Sequence, residues 1–136
     1  MRKHPAVGTL HRVCNLDYTL PTGVVIPKGT YIIIPALAFH RDKNLFKNPM
    51  KFDPDRFSIT NKNSIDKFSF LPFGEGPRAC IGLKFGLMQT KLGLAMMLNK
   101  YKFTTCAKTK IPLEIDNVSL LHVPKGGVWL NIDEVQ

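Results

Sequence analysis

Apolar and polar positions do not keep one period along this chain; they change period three times. From Val7 to Cys14 the pattern is β-prone. Asn15–Leu20 and Gly23–Pro27 then read as two short strands, with Pro21-Thr22-Gly23 as the hairpin turn between them. Pro27-Lys28-Gly29-Thr30 is predicted as a type II turn with Pro27 and Gly29 at its centre. Tyr31-Ile32-Ile33-Ile34 follows as a buried strand stopped by Pro35. From His40 to Asn63 the chain is polar; a short helix near Asn44–Lys47 and an irregular meander are expected.

Between Phe68 and Cys80, Pro72, Gly74, Gly76 and Pro77 crowd together, which forbids regular structure and predicts a rigid, shaped loop. Ile81 to about Asn99 holds no proline and is rich in Leu, Met and Lys, so a long helix is expected there. Lys84 and Lys91 share one face of it, and Leu87, Leu94 and Leu98 share another. After Tyr101 short strands return, and 118–121 with 128–132 are expected to form a final hairpin. The fold class is therefore α+β, with several short strands and one long helix, read as a single partial domain over 1–136. One long helix is little cover for several small β-units, which points to a portion of a larger structure.

Composition narrows the function. The 136 residues carry 44% hydrophobic and 21% charged positions, as an ordinary globular chain does. Cys14, Cys80 and Cys106 are too few and too scattered for a disulfide scaffold, and no Cys-x-x-Cys occurs. Cys14 and Cys106 read as small buried residues. His4, His11, His40 and His122 show no metal-ligand spacing, so surface or structural roles are expected for all four. The net charge of +9 raises a nucleic-acid role, but the lysines are spread from Lys3 to Lys125 with no run of three or more, as on a solvated face. No nucleic-acid partner is expected. The longest apolar run, Tyr31–Phe39, is too short to cross a bilayer and contains Pro35, and no signal peptide opens the chain.

The chemistry concentrates at Phe70-Leu71-Pro72-Phe73-Gly74-Glu75-Gly76-Pro77-Arg78-Ala79-Cys80-Ile81-Gly82. Cys80 stands at the expected helix start, where unpaired amides and the helix dipole favour a thiolate. Arg78 adds a fixed charge and a fork suited to carboxylates. Gly74, Gly76 and Gly82 let the backbone approach something flat and bulky. Ile81 and Gly82 can aim their N–H groups at the sulfur, and Phe73 can shield it from water. A shielded lone thiolate beside a carboxylate-binding arginine suits a metal inside a planar, carboxylate-bearing cofactor such as haem.

This loop fits Phe-x-x-Gly-x-Arg-x-Cys-x-Gly at every fixed position and resembles the haem-binding signature of the cytochrome P-450 monooxygenases. With Pro77 and Ile81 its resemblance to their animal microsomal members is close. Arg2-Lys3-His4-Pro5 resembles the end of the family's Glu-x-x-Arg helix, and His11-Arg12-Val13-Cys14 the strand whose arginine meets a haem propionate. His40-Arg41-Asp42 and Phe52-Asp53-Pro54-Asp55-Arg56-Phe57 match the next segments in order.

The resemblance implies a set of expectations. The fold would be the C-terminal part of the mainly helical cytochrome P-450 fold, with a haem-binding loop over 70–82 and a helix over 81–99. The cofactor would be haem b, iron protoporphyrin IX, with Cys80 as axial thiolate. Arg12, Phe73, Gly74, Arg78, Cys80, Ile81 and Gly82 would contact it, the two arginines through its propionates. Arg2 and Arg56 would share a buried carboxylate in a structural ion-pair group. Ala6, Val7, Gly8, Thr9 and Leu10, with Leu120 and Leu121 in the 119–123 stretch, would line a substrate pocket. The activity would be oxygen insertion into an apolar organic substrate, with electrons from NADPH through a reductase docked at Lys84 and Lys91, or from cytochrome b5. The parent would sit at the endoplasmic reticulum membrane, facing the cytosol.

Family members are several times longer. The anchor, most of the helical bundle, the distal oxygen-handling helix and the glutamate partner of Arg2 are therefore expected outside these residues, and no catalytic residue within them. On that reading the chain is a C-terminal portion that does not turn over and is unstable alone. The competing readings are a small haem-binding or haem-sensing module without turnover and a basic scaffold domain.

Overall fold

The computed structural model describes residues 1–116, 119 and 121–135. The chain divides into two compact units, Met1–Pro72 and Phe73–Gln136. The division falls inside the Pro- and Gly-rich segment, where the sequence offers no continuous element.

In the first unit, strand β1 (Leu10–Val13) and strand β4 (Tyr31–Ile34) pair antiparallel, with Leu10 opposite Ile34 and Val13 opposite Tyr31. Between them β2 (Tyr18–Thr19) and β3 (Val25–Ile26) form the expected hairpin. Its turn closes through the Gly23 N–H donating to the Leu20 carbonyl at 2.8 Å, with Gly23 at φ +85°. The next turn differs from expectation. Thr30 N–H donates to the Pro27 carbonyl, so Lys28 and Gly29 are the central residues and Pro27 precedes them. Gly29 at φ +86° is where a type II turn needs glycine.

β4 is not a buried strand: Tyr31 and Ile33 are exposed, while Ile32 and Ile34 are half-buried. A two-stranded sheet has one covered face, and the two-residue side-chain period sends alternate residues to water. The short helix also lies elsewhere. Helix α1 spans Ala36–Arg41, directly after Pro35, and 44–47 is a turn in which Phe46 N–H donates to the Asp42 carbonyl at 2.8 Å. Six residues are too few to show a helical period, and Pro35, read as a strand stop, serves as the cap. The meander holds two 3-10 turns, Pro54–Phe57 and Lys62–Ser64.

The buried apolar residues, Ala36, Phe46 and Leu71, belong to this unit, as do the buried Arg2, Pro5, His40 and Ser69. His40 Nε2 accepts from the Leu71 N–H at 2.8 Å, which leaves Nδ1 to donate to the Arg2 carbonyl at 3.2 Å. Phe70 packs against His40 and Phe57, with ring centroids 5.4 and 4.9 Å away. The clasp holds the chain immediately before the cysteine loop.

In the second unit, helix α2 spans Leu83–Lys100, two residues later than expected at its start. It runs straight into β5 (Tyr101–Thr105), which pairs antiparallel with β6 (Leu130–Glu134), Tyr101 opposite Glu134. The last strand thus partners β5, not 118–121. Val118 and Leu120 lie outside the described residues; Ile115 and Pro124 form an isolated antiparallel bridge. Pairing with β5 engages five residues of backbone on each strand. Among the described residues of this unit, none is buried. Cys14 and Cys106 are both only part-buried, contrary to expectation.

Candidate functional site

The cysteine loop is closed by one backbone bond: Cys80 N–H donates to the Phe73 carbonyl at 2.8 Å. Inside that ring the chain reverses tightly, and the Ala79 N–H donates to the Gly76 carbonyl at 3.0 Å. Gly74 at φ +74° and Gly76 at φ +82° occupy left-handed conformations that side-chain-bearing residues avoid. The Phe–Gly–Gly spacing legible in the sequence is therefore a backbone requirement of the loop.

The loop delivers an exposed Cys80, a fully exposed Ile81 and an exposed Arg78. Among the described residues, the Arg78 guanidinium has no hydrogen-bond or ion-pair partner, so its fork is open to an anion. The expected aim of the Ile81 and Gly82 amides at the sulfur is not seen: no N–H donates to Cys80 Sγ among the described residues. Gly82 is the helix cap, and Leu83, the first helical residue, donates its N–H to the Cys80 carbonyl at 3.2 Å. Cys80 thus lies two residues ahead of the cap. Gly82 keeps the space beside the sulfur open; a Cβ there would sit 3.8 Å from Cys80 Sγ.

Phe73 leans on helix α2, where a Cβ on Gly86 would meet its Cε1 at 3.8 Å. Gly86 was not legible as a site residue, because only the folded loop places a ring over that turn. Lys84 and Lys91 are both exposed on α2, two turns apart.

In the first unit, Arg12 on β1 donates from Nη1 to the neighbouring His11 carbonyl at 2.8 Å. Ala6 is exposed and Val7–Leu10 are half-buried on the approach to β1; Gly8 accepts from the Leu37 N–H at 2.9 Å. Leu121 is exposed and Leu120 lies outside the described residues.

Arg2 is 6% exposed and donates to the carbonyls of His40, Pro49 and Lys51. Burial, then the charges of Arg56 and Arg41, hold its guanidinium below its ordinary value, with Asp53 pulling the other way. Arg56 pairs with Asp53 at 3.6 Å and donates to the Asn48 carbonyl at 3.0 Å, yet its buried Nε has no partner. A cavity of about 300 Å³ lies beside it, lined by Phe46, Asp53, Arg56 and Ile65 among others. Arg2 and Arg56 therefore share one neighbourhood and an excess of positive charge.

Comparison with known proteins places these features. The sequence model of the family described as Cytochrome P450 matches residues 1–130. Cytochrome P450 6j1 of Blattella germanica is 46% identical over 132 residues, which are 97% of this chain and 26% of that protein. Cytochrome P450 6A1 of Musca domestica is 43% identical over 140 residues, covering 100% of this chain and 28% of the relative. Cytochrome P450 3A12 of Canis lupus familiaris is 42% identical over 125 residues, 92% of this chain and 25% of the relative. The chain belongs to the cytochrome P450 family and spans about a quarter of the length of these relatives. Its small mixed helix-and-strand structure is that of a partial domain.

Haem is the cofactor this family implies, and the residues present fit it. Among the described residues, no cluster of three or more His, Cys, Asp or Glu could hold a metal ion. A metal taken by Cys80 would need its remaining ligands from elsewhere, and a porphyrin brings four. The exposed sulfur, the open Gly82 position and the unpaired Arg78 fork leave room for such a group and for its carboxylates. Among the described residues, no helix is long and apolar enough to cross a membrane.

Proposed function

We propose that this chain forms the thiolate side of a haem-dependent monooxygenase, with Cys80 as the axial ligand. The observation that carries the reading is the exposed Cys80 at the end of a glycine-shaped loop, closed by its own amide on Phe73. When bound, haem supplies the oxygen chemistry: one atom of O₂ enters an apolar organic substrate and the other becomes water, with electrons from NADPH through a reductase. The protein's residues do the holding. Cys80 would hold the iron through its sulfur. Arg78, exposed and without a partner among the described residues, would hold a propionate. Arg12 is proposed for a propionate on the family resemblance alone. Gly74, Ile81 and Gly82 would shape the backbone beside the group, and Phe73 is proposed as a shield for the sulfur on the family resemblance alone.

The finer assignments have narrower support. Exposed Lys84 and Lys91 give a basic face for an acidic reductase or cytochrome b5. Ala6–Leu10, Leu120 and Leu121 as substrate-lining residues, and Arg2 with Arg56 as partners of a shared carboxylate, follow the family pattern. Resemblance to the animal microsomal type supports the endoplasmic reticulum membrane as the location.

Carbon monoxide spectroscopy of the ferrous, haem-loaded full-length protein tests the ligand. Thiolate ligation moves the main absorption band strongly to the red. Replacement Cys80→Ala should abolish that band, and Cys14→Ala should leave it. A red-shifted band surviving Cys80→Ala would rule the assignment out.

A further inference from the structure

The second unit holds a groove of about 560 Å³, lined by Lys108, Lys110, Lys125, Gly126, Gly127 and Trp129. None of these residues belongs to the cysteine loop or to helix α2. Three lysines and a tryptophan therefore line one concave space, of a size that holds a single small ligand. The tertiary fold makes it. Thr109 accepts from the Cys106 N–H at 2.8 Å and donates to the Trp129 carbonyl at 2.6 Å, pinning the turn after β5 against the chain entering β6. The ammonium of Lys108 stands 5.0 Å from the centre of the Trp129 ring, which is itself 56% exposed. Gly126 and Gly127, at φ +77° and +78°, bring backbone without side chains to the groove wall, with open space where a Cβ would stand.

The charge is unbalanced. One carboxylate, Glu114, pairs with Lys110 at 3.1 Å, and both partners are well exposed. The Lys110 hydrogen bond and then the Lys110 charge hold the Glu114 carboxyl below its ordinary value, with Lys125 adding a smaller pull. Among the described residues that line the groove, three are lysines and none is acidic; Glu114 stands outside the lining. An exposed ion pair of this kind is weak enough to open when a better anion arrives.

We propose that this groove binds a small aromatic anion, its ring against Trp129 and its carboxylate or phosphate among Lys108, Lys110 and Lys125. Aromatic stacking selects the ring and the lysines select the charge, so neither feature alone suffices. Aliphatic anions and neutral aromatics bind weakly. The site does not depend on Cys80 as an iron ligand.

Isothermal titration of the full-length, haem-loaded protein with 1-naphthyl phosphate tests this, with inorganic phosphate and naphthalene as comparison probes. The expected result is one saturable site, at least tenfold weaker for inorganic phosphate, with no shift of the haem absorption bands. Trp129→Leu and Lys108→Gln should each weaken binding fivefold or more. Glu114→Gln should strengthen it about threefold, because it frees Lys110. That gain also separates a site from a folding defect, since a damaged protein does not bind better. Equal affinity for inorganic phosphate would show an adventitious ion only. Binding that moves the haem bands, or that ignores all three substitutions, would place the ligand elsewhere and overturn the proposal.

Discussion

Both nitrogens of His40 are committed, one accepting from the Leu71 amide and the other donating to the Arg2 carbonyl, in a fully buried position. Only the neutral ring can do both. Burial holds its folded-state pKa below 6.5, with the Arg2 carbonyl partly offsetting and the Arg2 charge reinforcing the shift. As pH falls, the unfolded chain takes up the proton first, so folding loses stability. The contribution is complete above pH 6.5 and is lost as pH drops through the lower folded value. Denaturant unfolding of the full-length protein at pH 5 and pH 7.5 should show this loss, and His40→Leu should remove it. That substitution leaves two buried backbone groups unpaired and should cost about 1–3 kcal/mol for each. A pH dependence unchanged by His40→Leu would contradict the assignment. The sequence showed His40 as a residue without metal spacing; its partners lie 31 and 38 positions away, beyond any local pattern.

At the scale of elements, glycines of the same composition do opposite things. Gly76 needs its positive φ, and an alanine there would meet no atom within 4 Å, so the penalty of Gly76→Ala is purely backbone, about 1–2 kcal/mol. Gly93 lies inside α2 with equally open space and an ordinary helical backbone, so Gly93→Ala should stabilise by about 0.5–1 kcal/mol. Haem retention and melting temperature of the two variants, measured side by side, should move in opposite directions. Elements with strong local signals were legible: the hairpin around Gly23, the cysteine loop and α2 all stand where the pattern puts them, to within two residues. Helix α1 was not legible, because six residues beside a proline carry no period. Nor was the partner of β6, because every residue of that strand could pair with any free edge, and only the folded chain brings β5 to it.

At the scale of the whole molecule, the first unit has a small core and the second has none among its described residues. Phe85, Met88, Leu92, Leu94, Met96 and Leu98 on α2 are all more than half exposed. A helix with apolar residues around its circumference is stable when packed on several sides. The 136-residue chain alone should therefore melt broadly and bind an apolar dye strongly; calorimetry showing a sharp cooperative transition would refute this. Sequence by itself determined the family and the cysteine loop, because a ring closed between Phe73 and Cys80 is specified by residues within reach of one another. Tertiary structure alone decided the His40 clasp, the seating of Phe73 on Gly86, the partner of the last strand and the lysine–tryptophan groove. Each of these joins side chains or backbone groups brought together by folding, and the free energy that selects such a contact is spent on burial and hydrogen bonding that no local pattern records.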